Sequence, residues 1–227
     1  MKIKNRLPAA GAAVLLSLAL IFSLAGCASL DVVAKVSVDS MSALIDTSPV
    51  TESAAADRWV LTAPDKAAQF TWSKDFAATP DDLEIRVDAA PFLAAGLDPA
   101  KLSTAKLVEG QLVFGRDLGS EAFASKDQAT ALASYQKLIS LKREALGFHQ
   151  ALDHYGLDVG HGNKFEWAKD LSTNDKDIVF VLDPQALAAA GAKTSEIEGW
   201  LLAKVEMMDQ KNKPVQVEKL LKPYSLR

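Results

Sequence analysis

The chain is poor in the residue types on which most chemistry depends. It has one cysteine and three histidines in 227 residues. A single cysteine rules out an intrachain disulfide, so the body must be stabilised by its core alone. Basic residues are also in short supply. Residues 1–26 carry Lys2, Lys4 and Arg6 and no acid. Of the 25 Lys+Arg and 29 Asp+Glu in the chain, the remaining 201 residues therefore hold 22 and 29, a formal charge of −7. An acidic body argues against nucleic acid or bare anionic lipid as a partner, since both need a basic surface. No apolar run after residue 27 approaches membrane-spanning length.

The single cysteine stands at a marked place. Three basic residues at the N-terminus precede twenty uncharged residues, Leu7 to Gly26, and Cys27 follows directly. Basic residues stay on the cytoplasmic side while such an apolar run enters the bilayer. The next charge is Asp31, so a basic stop-transfer flank is lacking. Leu24-Ala25-Gly26-Cys27 resembles the lipobox of bacterial lipoproteins, with Leu24 three places before the cysteine and small residues between. The resemblance covers only about the first thirty residues. It implies cleavage before Cys27, acylation of its sulfur and an extracytoplasmic protein anchored in a cell membrane or outer membrane. It also removes the only thiol from catalysis. Residues 27–56 are expected to hold the lipidated cysteine and a tether or arm.

The body shows an internal repeat at a shift of 95 residues. Phe70, Trp72, Lys74 and Asp75 fall on Phe165, Trp167, Lys169 and Asp170. Asp82 and Asp88 fall on Asp177 and Asp183, and Ala94-Ala95-Gly96 on Ala189-Ala190-Gly191. Each copy reads as strand, turn, strand, short helix and third strand. Leu83-Glu84-Ile85-Arg86-Val87 alternates apolar and charged and predicts one wet face, whereas Ile178–Leu182 is apolar throughout and predicts two covered faces. Asp183-Pro184 and Gly191 bracket a short helix with an N-cap and a stop; Asp88 and Gly96 do the same in the first copy. Ser125 and Gln128 have capping-box spacing before the apolar stripe Leu132, Tyr135, Leu138, Ile139. The expected fold is α+β: two related β-β-α-β units at 57–124 and 157–227, packed as one pseudo-symmetric globule and joined by a long helix at 125–156.

Two constellations could carry function. His149, His154 and His161 fall within 13 residues, with Asp153 among them. If the connecting helix runs through them, His149 and Asp153 share a face at i,i+4, a spacing able to present two ligands to a transition metal or haem iron. Trp72 and Trp167 occupy matching strands and could flank a ligand between the halves. Gly156-x-x-x-Gly160-x-Gly162 lacks the lysine and Ser/Thr of a phosphate loop, and no serine sits in a Gly-x-Ser-x-Gly setting. The expectation is therefore a membrane-anchored, non-catalytic module without a cofactor, binding a ligand or envelope protein. A metal- or haem-binding lipoprotein and an envelope-polymer hydrolase are the alternatives.

Overall fold

The computed structural model describes residues 19–20, 27–48, 50–53, 57–74, 81–119, 130–150, 152–173, 176–208 and 214–227. Leu24-Ala25-Gly26, the Ser125/Gln128 pair and the turns at 79–80, 174–175 and 209–213 lie outside them. The fold is α+β with two sheets. After the bridge β1 (Ala19–Leu20) comes α1 (Cys27–Thr47), then the strands β2 (Val50–Ser53), β3 (Arg58–Thr62), β4 (Ala68–Ser73) and β5 (Leu83–Asp88). Next are α2 (Ala90–Ala94), a 3-10 turn (Pro99–Lys101), β6 (Lys106–Val108) and β7 (Gln111–Arg116). The second series opens with α3 (Ala131–Leu141) and a 3-10 turn (Arg143–Ala145). It continues with β8 (Leu146–His149), β9 (His154–Gly160), β10 (Asn163–Ala168) and β11 (Ile178–Leu182). It ends with α4 (Pro184–Ala189), a 3-10 turn (Thr194–Glu196), β12 (Leu201–Met208) and β13 (Pro214–Tyr224).

The two sheets have the same strand order, β2-β3-β4-β5-β7-β6 and β8-β9-β10-β11-β13-β12, with β1 added in parallel at the free edge of β12. All other pairings are antiparallel. Each unit thus has six strands where three were expected. Residues 106–114 are a hairpin rather than one strand, because Glu109 and Gly110 take φ of 49° and 79°, the pair of positive values that closes a two-residue turn. The short helices start as their acids predict: Asp88 accepts from Ala90 N at 3.0 Å and Asp183 from Gln185 N at 3.0 Å.

Two other expectations need correction. The connecting helix does not extend to 156; α3 stops at Leu141 and residues 146–160 are two strands. Tyr155, Leu157 and Val159 alternate onto the core, and Gly147, Gly156 and Gly160 disfavour a helix there by entropy. The second unit therefore begins inside the segment assigned to the connector. Of the tether or arm expected over residues 27–56, residues 32–47 are a packed arm. Ala34, Ser37, Met41 and Leu44 form a buried helical stripe.

The units meet through paired contacts. Phe70 and Phe165 stack face to face at 4.2 Å. Asp98 N donates to Ala190 O and Lys193 N to Ala95 O, each at 2.8 Å. Gly96 and Gly191 have φ of 93° and 98°, and a Cβ on either would lie 3.2 or 3.0 Å from the other's carbonyl oxygen, so this crossing needs glycine twice. Ser40 of α1 donates to Ala168 O of β10 at 2.8 Å, and Ser134 of α3 donates to Ser73 O of β4 at 2.6 Å. Each helix therefore covers the other unit's sheet.

The expected wet face of β5 is closed instead. Glu84 is buried, paired with Arg58 at 3.0 Å and with Arg86 at 2.8 Å. Alternation reported the chemistry of that face correctly but not its burial, because a paired charge can be enclosed. On β11 all five residues are buried, as expected.

Candidate functional site: a histidine–glutamate cluster beside a small cavity

Three strands on the outer face of the second sheet build the site. The β8–β9 register sets His149 opposite His154. The β9–β10 register sets Gly156 opposite Glu166 and His154 opposite Ala168. Side chains two apart on a strand share a face, so His149, His154 and Glu166 converge. His149 Nδ1 lies 3.2 Å and His154 Nδ1 3.8 Å from Glu166 Oε2. Burial alone would push the Glu166 carboxyl up. The hydrogen bond from His149, with His154 nearby, outweighs it and holds the group down at about 2.

An ionised carboxylate only accepts, so the short contact puts the proton of His149 on Nδ1. Its Nε2 has no hydrogen-bond partner among the described residues, although the residue is 93% buried, its exposure being 7%. His149 lines a cavity of about 110 Å3 together with Glu144, Phe148, Asp158, Lys164 and Glu166. Arg116 of the first unit holds Asp158 Oδ2 at 2.9 Å. Gly156 keeps the space open, since a Cβ there would lie 3.2 Å from Glu166 Cγ.

The first unit has the same backbone pairs with different side chains. Ser53 faces Arg58 as His149 faces His154, and Val60 faces Thr71 as Gly156 faces Glu166. There the guanidinium fills the face: Arg58 donates to Asp81 O at 2.7 Å and Thr71 Oγ1 at 3.4 Å, and pairs with Glu84.

The other residues singled out in the sequence are placed elsewhere. Asp153 is exposed in the β8–β9 turn with φ 54° and lies 3.8 Å from Lys169. It shares no helical face with His149, because no helix exists there. His161 is exposed in the β9–β10 turn, about 20 Å along the strand from His154, and cannot join a common ligand set. Trp72 and Trp167 are both fully buried. Trp72 donates to Ala131 O at 3.2 Å, and Trp167 packs on Tyr135 and Tyr155. They are core residues, not a ligand clamp. Cys27 is the first residue of α1. The residue missed was Glu166; its signal is a lone acid between Phe165 and Trp167.

Among the described residues no three His, Cys, Asp or Glu side chains are gathered to hold a metal ion, and no helix is long and apolar enough to cross a membrane. The cavity is far below the roughly 300–1,000 Å3 of pockets for drug-sized ligands. No protein-family model, curated protein or solved structure matches the chain.

Proposed function

We propose that this chain is an extracytoplasmic lipoprotein anchored through acylated Cys27, with a non-catalytic body that binds a ligand or partner through the second unit. We further propose that the body arose by duplication of a helix–four-strand–helix–hairpin unit, with the leading helices exchanged. The shared strand order and the paired contacts at Phe70/Phe165 and Gly96/Gly191 support the duplication. One observation carries the binding reading. At equivalent backbone positions the first unit is filled by the Arg58 guanidinium, while the second keeps a small cavity of mixed apolar and charged lining beside an oriented, unpartnered imidazole nitrogen. A scaffold needing only stability has no use for that difference, since an unpaired buried polar atom costs about 1–3 kcal/mol.

The reading is tested on protein purified from its own host. Native mass spectrometry is expected to show a retained small ligand or partner that is lost from His149→Ala. Radiolabelled palmitate is expected to mark the wild type and not Cys27→Ala, which should leave the membrane fraction. An unlabelled wild type removes the anchor; a His149→Ala protein carrying the same bound species removes the site.

A single transition-metal ion on His149 Nε2 is the second reading, favoured by the Glu166–His149 contact. Metal-bound histidines commonly give their other N–H to a carboxylate, which fixes the tautomer. Glu144, exposed at the cavity, is a further donor lining it, and waters would complete the shell. Zinc titration followed by calorimetry is expected to show binding that His149→Ala abolishes and Glu166→Gln weakens about 10–100-fold. Asp153→Ala and His161→Ala should leave it unchanged. Equal binding by all four variants would rule this reading out.

A further inference from the structure

The anchor and the fold share one helix. Resting on the lipoprotein reading above, we infer that the bilayer surface is itself a partner of this protein, and that the first two turns of α1 lie in its headgroup layer. α1 is continuous from Cys27 to Thr47. Val33 already packs against the core, and Ala34 and Ser37 are buried. At 1.5 Å per residue, Val33 stands only about 9 Å along the axis from Cys27. An acylated Cys27 sits at the top of the hydrocarbon, and the headgroups above it occupy about 5–8 Å per leaflet. No layer of free water fits between lipid and body. A flexible tether of twenty residues would instead allow a separation of about 25 Å.

The exposed side of α1 is graded to match. Val32 (62% exposed), Lys35, Asp39, Ala43 and Asp46 form its outward stripe. They stand roughly 7, 12, 18, 24 and 28 Å from Cys27 along the axis. Apolar Val32 comes at the membrane end, basic Lys35 just beyond the headgroup layer, and the two acids farther out. An anionic headgroup layer attracts basic residues within about a Debye length and repels acids. Asp31 is the one charged residue in the first two turns. The far end of α1 is fixed to the second unit by Ser40 on Ala168 O and to α3 by the contact of Tyr135 with Ser37. The body therefore cannot swing away from its anchor without unpacking its core, and the protein acts on what lies at the membrane surface.

The lone cysteine makes the test clean, because a cysteine placed elsewhere is the one free thiol after acylation. Full-length lipidated Val32→Cys and Asp46→Cys proteins would be labelled with bimane and reconstituted in phosphatidylethanolamine–phosphatidylglycerol vesicles carrying headgroup spin labels. The Val32→Cys label is expected to lose most of its fluorescence and the Asp46→Cys label to keep it. A flexible Gly/Ser insert between Leu30 and Asp31 should restore the Val32→Cys signal without loss of palmitate. Equal, weak quenching at both positions in palmitate-labelled protein overturns the inference and leaves the anchor standing; absence of palmitate overturns both.

Discussion

Glu84→Ala is expected to destabilise the folded protein by about 3–5 kcal/mol, the range for removing one partner of a buried ion pair. The Arg58 side chain is 7% exposed and Glu84 5%. Arginine stays charged at every accessible pH, so its guanidinium cannot escape by losing a proton. Burial already pulls the Arg58 group below its ordinary value, and Glu84 is the largest influence holding it up; Arg86 works against it. Without Glu84, Arg58 keeps only the smaller pull of Asp81 and Asp82 against the repulsion of Arg86. Glu84→Gln should cost nearly as much, because it restores shape but not charge. Removing the exposed Glu52 from Lys74, an ion pair of 2.7 Å, should cost less than about 1 kcal/mol. Urea denaturation of the three variants gives the comparison. A Glu84→Ala cost no larger than that of Glu52→Ala would mean that the Arg58 face is open to water.

How far the architecture could be read in advance follows from where the repeat preserves identity. Phe70/Phe165, Ala95/Ala190 and Gly96/Gly191 are identical pairs, and they lie among the contacts between the units. A side chain that must meet its own counterpart has little freedom, so the shift of 95 is visible there. The leading strands keep the same register with different residues. Arg58 and His154 are 96 apart, so the ungapped comparison runs past them. The closing strands drift further, since Leu83 pairs with Arg116 and Ile178 with Tyr224, a shift of 108. Residues 146–156 misled for a different reason. Phe148, Leu152 and Tyr155 satisfy helical spacing, while Tyr155, Leu157 and Val159 satisfy alternation, and short apolar runs do not decide between the two. The glycines decide it.

The histidine cluster was legible as a cluster but not as a geometry. Asp153 was chosen as the partner of His149 from helix spacing, whereas a hairpin brings His154 opposite His149 and Glu166 in from the next strand. A pair contact between β9 and β10 depends on register, and register was not available from local pattern. The same limit hid the enclosed Glu84. A charge in an alternating strand looks wet until the other strands are known to cover it.

Acid stability should carry the signature of two buried carboxyl groups shifted in opposite directions. Glu166 is held at about 2 against an ordinary 4.5, with the two histidines outweighing burial. A depressed carboxyl contributes stability above its unfolded value, lost as pH falls toward the folded one. From pH 5 to 2 the protein should therefore lose about 3 kcal/mol through this group. Glu166→Gln should lack that loss, being less stable near pH 5 and converging on the wild type below pH 2. Asp82 is pushed up to about 6, first by burial and further by Asp117, although Leu118 N donates to it at 2.7 Å. A raised carboxyl acts with the opposite sign: its stabilising effect is complete below about 4 and is withdrawn as pH rises through 6. The two effects overlap in a narrow window, so the wild type should be most stable between about pH 4 and 5. Asp82→Asn should flatten the alkaline side of that maximum, and Glu166→Gln the acidic side. Thermal melts from pH 2 to 8 on the three proteins read both limbs. A wild-type profile that rises steadily to pH 7 would show that Asp82 is ionised without penalty, and an unchanged acid limb in Glu166→Gln would show that the histidines do not hold Glu166 as an anion.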